Sequence, residues 1–339
     1  MRSDYTQTGS SHGGSDALGV PAFDFSSNSN ACGPSPTELA AVQAADSRHH
    51  PDPAYTALQS ALAAWHGVDA WRIVLGASAS ELIFRLSALA RQTAASPKPS
   101  AYLEAQHYGD YERAALAHRL ELSPQPAQAQ LIWACEPSSP CGQVQANLSQ
   151  RIADLRREQM LVLDCAYAPL RLDGGAALAL QQRDRIWQLY TPNKALGLTG
   201  VRAAYVVAPS DANAHAAQLQ VLAPSWPVGA HGVAMLHAWV QADTQQWLSG
   251  SLAVLRRWKQ AQLALCAELG WHTSPSIAPY YCAQAPVQNV VALLQHLRLS
   301  DVKLRDCTSF GLAGTLRMNT LNPEAQEALK NAYLSYGGA

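Results

Sequence analysis

Charge is scarce in this 339-residue chain: Asp, Glu, Lys and Arg make up 14% of it, and 24 basic against 25 acidic residues leave a net charge of −1. So neutral a molecule projects no field able to hold nucleic acid or an anionic membrane surface, and the expected ligand is small and held by local charge. Long apolar runs are also missing, since no uncharged one reaches the ~18 residues that a membrane span needs. Residues 1–20 are polar and rich in Gly and Ser, with no apolar centre of the kind a secretory leader carries, which points to a cytoplasmic protein. The seven cysteines (Cys32, Cys135, Cys141, Cys165, Cys266, Cys282 and Cys307) are odd in number and show no CxxC spacing. They read as reduced thiols, with no metal site. What the chain has is apolar mass: hydrophobic residues make up 48%, enough to bury a large core. Its length is about two domains' worth at roughly 150 residues each.

Periodicity divides the chain into recognisable pieces. Pro34 to Ala45 reads as a helix, His50-Pro51-Asp52-Pro53 as a rigid extended turn, and Tyr55 to His66 as an amphipathic helix closed by Gly67. Ile73-Val74-Leu75, then Gly76 to Ser80, then Glu81 to Leu86 read as strand, small-residue loop and helix. A helix start with uncrowded N–H groups and free hydroxyls is an anion site, which makes Ser78 and Ser80 candidate phosphate ligands. Further short apolar runs at 131–134, 161–163 and 203–207 alternate with helical or loop segments such as 148–160. That alternation predicts an α/β fold with a mainly parallel sheet covered on both faces, whose ligands bind beyond the strands' carboxyl ends. Asp164 and the Glu136 to Gly142 loop fall at such ends. Val233 to Leu269 reads as a long helix, and Pro323 to Tyr333 as the last one.

Lys194 carries the chemistry. It stands in Tyr190-Thr191-Pro192-Asn193-Lys194-Ala195-Leu196-Gly197-Leu198-Thr199-Gly200-Val201-Arg202, among small and apolar residues with no other charge before Arg202. Apolar surroundings disfavour an ammonium, so the expectation is a depressed pKa and an amine able to attack an aldehyde.

This segment resembles the Schiff-base lysine motif of fold type I pyridoxal-phosphate enzymes, in the branch of histidinol-phosphate aminotransferases and threonine-phosphate decarboxylases. The resemblance places a hydroxyl residue three positions before the lysine and an arginine eight positions after it on the cofactor phosphate, as Thr191 and Arg202. Asp164-Cys165-Ala166-Tyr167 is similar to the family's aspartate-x-alanine-tyrosine, in which the carboxylate pairs with the pyridinium nitrogen and the tyrosine meets the ring's 3-oxygen. Tyr108-Gly109-Asp110-Tyr111 resembles its tyrosine-glycine-x-tyrosine, the first aromatic stacking on the ring, and Ser78, Ala79 and Ser80 fall where the family cradles phosphate. Leu304-Arg305-Asp306-Cys307-Thr308-Ser309-Phe310-Gly311-Leu312, followed by Leu316-Arg317-Met318, resembles the segment whose arginine, here Arg317, holds the substrate carboxylate, and Arg305 becomes a candidate for a second substrate anion. His12-Gly13-Gly14, followed by Asp24-Phe25-Ser26-Ser27-Asn28, resembles the decarboxylases of cobalamin biosynthesis more than the aminotransferases, and makes His12 a substrate candidate.

Three positions depart from the family pattern. Ser139 replaces an asparagine that bonds the ring's 3-oxygen, His50 replaces a tyrosine that reaches the partner subunit's cofactor phosphate, and Pro279 replaces a substrate-near asparagine. The resemblance implies an aminotransferase-like fold: an N-terminal arm and part of a small domain over 1–45, a large cofactor-binding domain over 46–240, and an interdomain helix with a small C-terminal α+β domain over 241–339. It also implies pyridoxal 5'-phosphate as cofactor, a free or phosphorylated amino acid as substrate, and a homodimer with shared sites. Threonine-phosphate decarboxylation ranks first, histidinol-phosphate-type transamination second, and cofactor binding with little catalysis third.

Overall fold

The computed structural model describes residues 13–175 and 178–337. Its main sheet has seven strands: β1 (Ile73–Gly76), β2 (Ser100–Tyr102), β3 (Glu121–Ser123), β4 (Leu131–Cys135), β5 (Met160–Asp164), β6 (Trp187–Tyr190) and β7 (Ala204–Val207), in the spatial order β1-β7-β6-β5-β4-β2-β3. Pairing is parallel except for β7, which runs antiparallel to both β1 and β6. An antiparallel neighbour needs no crossover helix, so the chain from β6 to β7 is a loop, and that loop carries Lys194. The strands Ile73–Gly76, Met160–Asp164 and Ala204–Val207 are buried throughout, and Leu131–Cys135 in all but its last residue, because helices cover both faces.

Helices α1 (Pro36–Gln43), α2 (Thr56–His66), α3 (Ala79–Thr93) and α4 (Gly109–Ala117) precede the middle of the sheet. Tyr55, expected inside the second helix, instead stands before it with φ 50° and donates its hydroxyl to the Val228 carbonyl. Of the segment 148–160, read as helical or loop, Leu148–Ala153 is helix. The long helix expected from Val233 is two, Ala230–Trp239 and α5 (Ala242–Glu268), because Gln241 adopts an extended conformation and caps the second.

A smaller antiparallel sheet follows, from β8 (His272–Thr273), β9 (Tyr280–Gln284), β10 (Arg305–Asp306) and β11 (Leu316–Asn319), in the order β10-β11-β9-β8. The N-terminal segment docks on this part. Phe23–Asp24 pairs in parallel with Val302–Lys303, and Phe25 is fully buried in its apolar core with Tyr281, Leu316 and Met318. Among the described residues no helix is long and apolar enough to cross a membrane.

Candidate active site

One cavity of about 440 Å³ collects most of the residues that the sequence singles out. It opens beyond the carboxyl ends of β4 and β5 and reaches from the N-terminus of α3 to the small sheet. Ser78, Ala79, Ser80, Tyr108, Ser139, Asp164, Tyr167, Thr191, Lys194, Arg202, Arg305 and Arg317 all line it. His12 lies outside the described residues, but Gly13 and Gly14 line the same cavity. His50 does not. It is exposed on the surface and stacked on Trp226 with ring centroids 4.4 Å apart. Pro279 is absent from the lining as well, its carbonyl accepting from the Thr320 N–H and hydroxyl.

The floor is built around Asp164. Its position at the last residue of β5 aims the carboxylate out of the sheet edge, and it is 5% exposed. The Ala166 N–H donates to Oδ1 at 2.8 Å and the Tyr111 hydroxyl to Oδ2 at 2.6 Å. Tyr167 follows at once, and Lys194 Nζ stands 4.4 Å from the centre of its ring. The loop carrying Lys194 is pinned from outside: the Asn30 N–H donates to the Lys194 carbonyl, and Asn30 Nδ2 donates to the Ala195 carbonyl. A Cβ at Gly197 would come within 2.7 Å of the Gly33 backbone, so only glycine admits this approach.

The depressed pKa expected for Lys194 is not found. Burial does work against the ammonium, but Tyr167, Asp164 and Tyr108 together outweigh it and the net shift is upward. The neighbours along the chain are apolar, whereas those brought in by the fold are acidic or phenolic. Burial pushes the Tyr108 hydroxyl up to about 12, so it stays protonated at neutral pH.

At one end, Ser78 caps α3 by accepting the Glu81 N–H, leaving the first-turn N–H groups of Ala79 and Ser80 at the cavity wall. The Ser80 hydroxyl meets the Tyr108 hydroxyl at 3.2 Å, and Thr191 Oγ1 donates to Asn193 Oδ1 at 3.0 Å. Arg202 stands exposed at the rim with no acidic partner among the described residues. A helix N-terminus, three hydroxyls and an unpaired guanidinium make an anion cradle, and a buried carboxylate lies across the cavity from it. This donor set fits pyridoxal phosphate, whose phosphate is an anion and whose ring nitrogen, when protonated, is a cation.

At the other end, Arg305 and Arg317 face each other in register between β10 and β11. Asp306, the neighbour of Arg305 along the chain, accepts from the Thr308 N–H and hydroxyl, while Arg305 donates to Ser309 Oγ. Arg317 donates to the Ser26 carbonyl and its Nε is buried without a partner. Burial and the neighbouring Arg317 charge lower the Arg305 pKa and outweigh the opposing Asp306 charge, as expected of two cations confined together.

Sequence reasoning missed several lining residues. Both side-chain polar atoms of Asn28 are buried without a partner, Phe310 lies beneath both guanidiniums, and Asn193 ties Thr191 to the Val201 carbonyl. All three stand within motifs already quoted, so position alone was the available signal.

The family model described as aminotransferase class I and II matches residues 22–332. Among curated relatives, the histidinol-phosphate aminotransferase of Jannaschia sp. is 28% identical over 327 residues, spanning 88% of this chain and 87% of that protein. The enzyme of the same name from Halorubrum lacusprofundi is 27% identical over 318 residues, spanning 87% and 84%. Among solved structures, histidinol-phosphate aminotransferase from Sinorhizobium meliloti in complex with pyridoxal-5'-phosphate superposes with a TM-score of 0.78 at 19% identity, covering 92% of this chain and 90% of that one. L-threonine-O-3-phosphate decarboxylase from Porphyromonas gingivalis gives 0.78 at 18% identity, covering 93% and 99%.

Proposed function

The chain belongs to the class I and II aminotransferases, pyridoxal-phosphate enzymes of the aminotransferase-like α/β fold, and from that premise we propose that it decarboxylates a phosphorylated amino acid of the O-phosphothreonine type. Membership of an enzyme family leaves the binding-only alternative without support. The observation that carries the reading is the pair Arg305 and Arg317, two confined guanidiniums without an acidic partner among the described residues. Two such forks match a substrate with two anionic groups.

When bound, pyridoxal phosphate supplies an aldehyde for the substrate amine and a ring that takes up the electron pair left when a bond at Cα breaks. In this reading the protein's own groups divide the remaining work. The α3 N-terminus with Ser78, Ala79 and Ser80, together with Thr191 and Arg202, holds the cofactor phosphate, and Tyr108 covers the ring face. Asp164 would pair with the protonated ring nitrogen, while Tyr167 and Ser139 would face the ring's 3-oxygen. Lys194, whose Nζ lies in the same cavity, would hold the cofactor's aldehyde carbon and would serve as the base or acid of the site. Arg317 grips the α-carboxylate and Arg305, with Asn28, the second anion, so the clamp sets which Cα bond stands perpendicular to the ring. The reading takes residues 46–240 as the large cofactor-binding domain, 1–45 as the N-terminal arm and part of the small domain, and 241–339 as the interdomain helix and small C-terminal domain.

The N-terminal arm supports decarboxylation over transamination. A Cβ at Gly13 would come within 2.1 Å of the Ser26 carbonyl oxygen, and Lys303 Nζ donates to the Gly14 carbonyl, so the glycine pair that follows His12 is fitted into the cavity wall. A second reading, transamination of an amine phosphate of the histidinol-phosphate kind, draws on the names of the curated relatives. The two are separated by supplying O-phosphothreonine with and without 2-oxoglutarate. Release of CO₂ that needs no keto acid supports the first; turnover only with the keto acid, and no CO₂, supports the second.

A further inference from the structure

We propose that Tyr111 is a positioning residue that fixes and aims the Asp164 carboxylate, so that the proton on the cofactor's ring nitrogen stays on that nitrogen. The inference rests on Asp164 facing the ring nitrogen and adds the group that governs it.

Tyr111 lies in the first turn of α4 and is 2% exposed. Its ring is stacked on Trp133 at 4.5 Å with the planes 6° apart, so the hydroxyl cannot swing away. That hydroxyl donates to Asp164 Oδ2 at 2.6 Å, within the range of a charge-assisted bond. The other oxygen, Oδ1, takes the Ala166 N–H at 2.8 Å. Cys135, directly opposite Asp164 in the β4–β5 ladder, turns its thiol to the Pro137 carbonyl at 3.3 Å.

In a water-poor site, a carboxylate beside a protonated ring nitrogen competes with the neutral pair in which the proton has moved to the carboxyl. Each hydrogen bond donated to the carboxylate favours the charged arrangement, because it stabilises only the anion. The backbone serves one oxygen and Tyr111 serves the other. Burial first, then the Asp164 charge, drives the Tyr111 phenol far above its usual range, so it remains a neutral donor. A neutral donor has an advantage over a cation at this place: it fixes the carboxylate without cancelling the charge that the ring nitrogen needs. Among the described residues no salt bridge engages Asp164.

The experiment compares binding of two ligands to apoenzyme freed of cofactor: pyridoxal phosphate and its deaza analogue, which carries C–H in place of the ring nitrogen. The parent is expected to prefer the natural cofactor, and Asp164→Asn to lose that preference. If it does not, the assignment of Asp164 itself fails. Tyr111→Phe keeps the stack on Trp133 and should cut the preference about tenfold, the worth of one hydrogen bond to a charged group. In the loaded enzyme kcat should fall with KM nearly unchanged, and adding Tyr111→Phe to Asp164→Asn should change neither quantity further. A Tyr111→Phe protein with the parental preference, when Asp164→Asn has lost it, overturns the proposal alone. If the phenylalanine variant does not fold, 3-fluorotyrosine at position 111 retains the packing and sharpens the donor. It should then raise the preference, and an unchanged preference overturns the proposal.

Discussion

Three side chains show how little local sequence says about a titratable group once the chain is folded. Lys194 gains its upward shift from Tyr167 and Asp164, so the proposed chemistry begins with an ammonium that must lose its proton. Lys194→Ala is expected to abolish turnover, and borohydride treatment of the loaded parent should fix the cofactor to the peptide holding residue 194, with no such peptide in the variant by mass spectrometry. The guanidinium pair separates two losses. Arg317→Ala should weaken threonine and O-phosphothreonine alike, while Arg305→Ala should weaken the phosphorylated compound alone, by tens- to thousands-fold on the scale of a broken charge-assisted contact. Specificity constants on both substrates check this, and equal losses in Arg305→Ala would remove the case for a phosphorylated substrate. His66 is a third instance: burial first, then the Arg183 and Arg72 charges, lower its pKa to about 4, with Nε2 2.9 Å from the Tyr205 hydroxyl. The unfolded chain then binds the extra proton first as pH falls, so stability is full above about 6.5 and declines toward 4, by about 3 kcal/mol. Thermal melts of the parent and His66→Gln between pH 7 and pH 4.5 should show a shallower decline in the variant.

The elements act on the site through their ends. α3 begins where β1 stops, and its capped first turn presents N–H groups to the cavity. β5 ends on Asp164, and the β6–β7 loop hangs Lys194 over Tyr167. Beside its strand pairing and the buried Phe25, the N-terminal arm is held by Arg317 on the Ser26 carbonyl, the Asn319 N–H on the Phe25 carbonyl, and Asp16 between Arg298 and Lys303. Arg298 and Lys303 together hold the exposed Asp16 carboxyl well below its usual range. Because Gly13 has no room for a side chain, Gly13→Ala should displace the arm without disturbing either sheet. The expected outcome is a KM for substrate raised about tenfold or more with the melting temperature nearly unchanged, since surface changes outside the core are usually within about 0.5 kcal/mol. A lowered melting temperature with an unchanged KM would show the arm to be structural.

For the whole molecule, the surface around His50 carries the next expectation. His50 stacks on Trp226, whose indole N–H donates to the Pro51 carbonyl, and this patch stands outside the chain's own cavity. In a homodimer with shared sites it would face the second copy, and light scattering should return twice the chain mass. A monomer fully active on dilution would refute the shared site. The amino-acid sequence by itself determined the strand–loop–helix at 73–86, the strands ending at Asp164 and before the Glu136 loop, and the order of Thr191, Lys194 and Arg202. Each of these rests on short-range periodicity or spacing along the chain. It could not reveal that Asn28, Phe310 and the Asp164 partner Tyr111 join that site, nor that Arg305 escapes Asp306, nor the direction of the Lys194 shift. Those depend on which segments meet: β11 lies 291 positions from the Ser26 carbonyl that Arg317 grips, and Tyr111 lies 53 from Asp164. Only burial of the two sheets' apolar faces brings such distant groups together, and with them the low-polarity surroundings in which a single hydrogen bond decides where a proton sits.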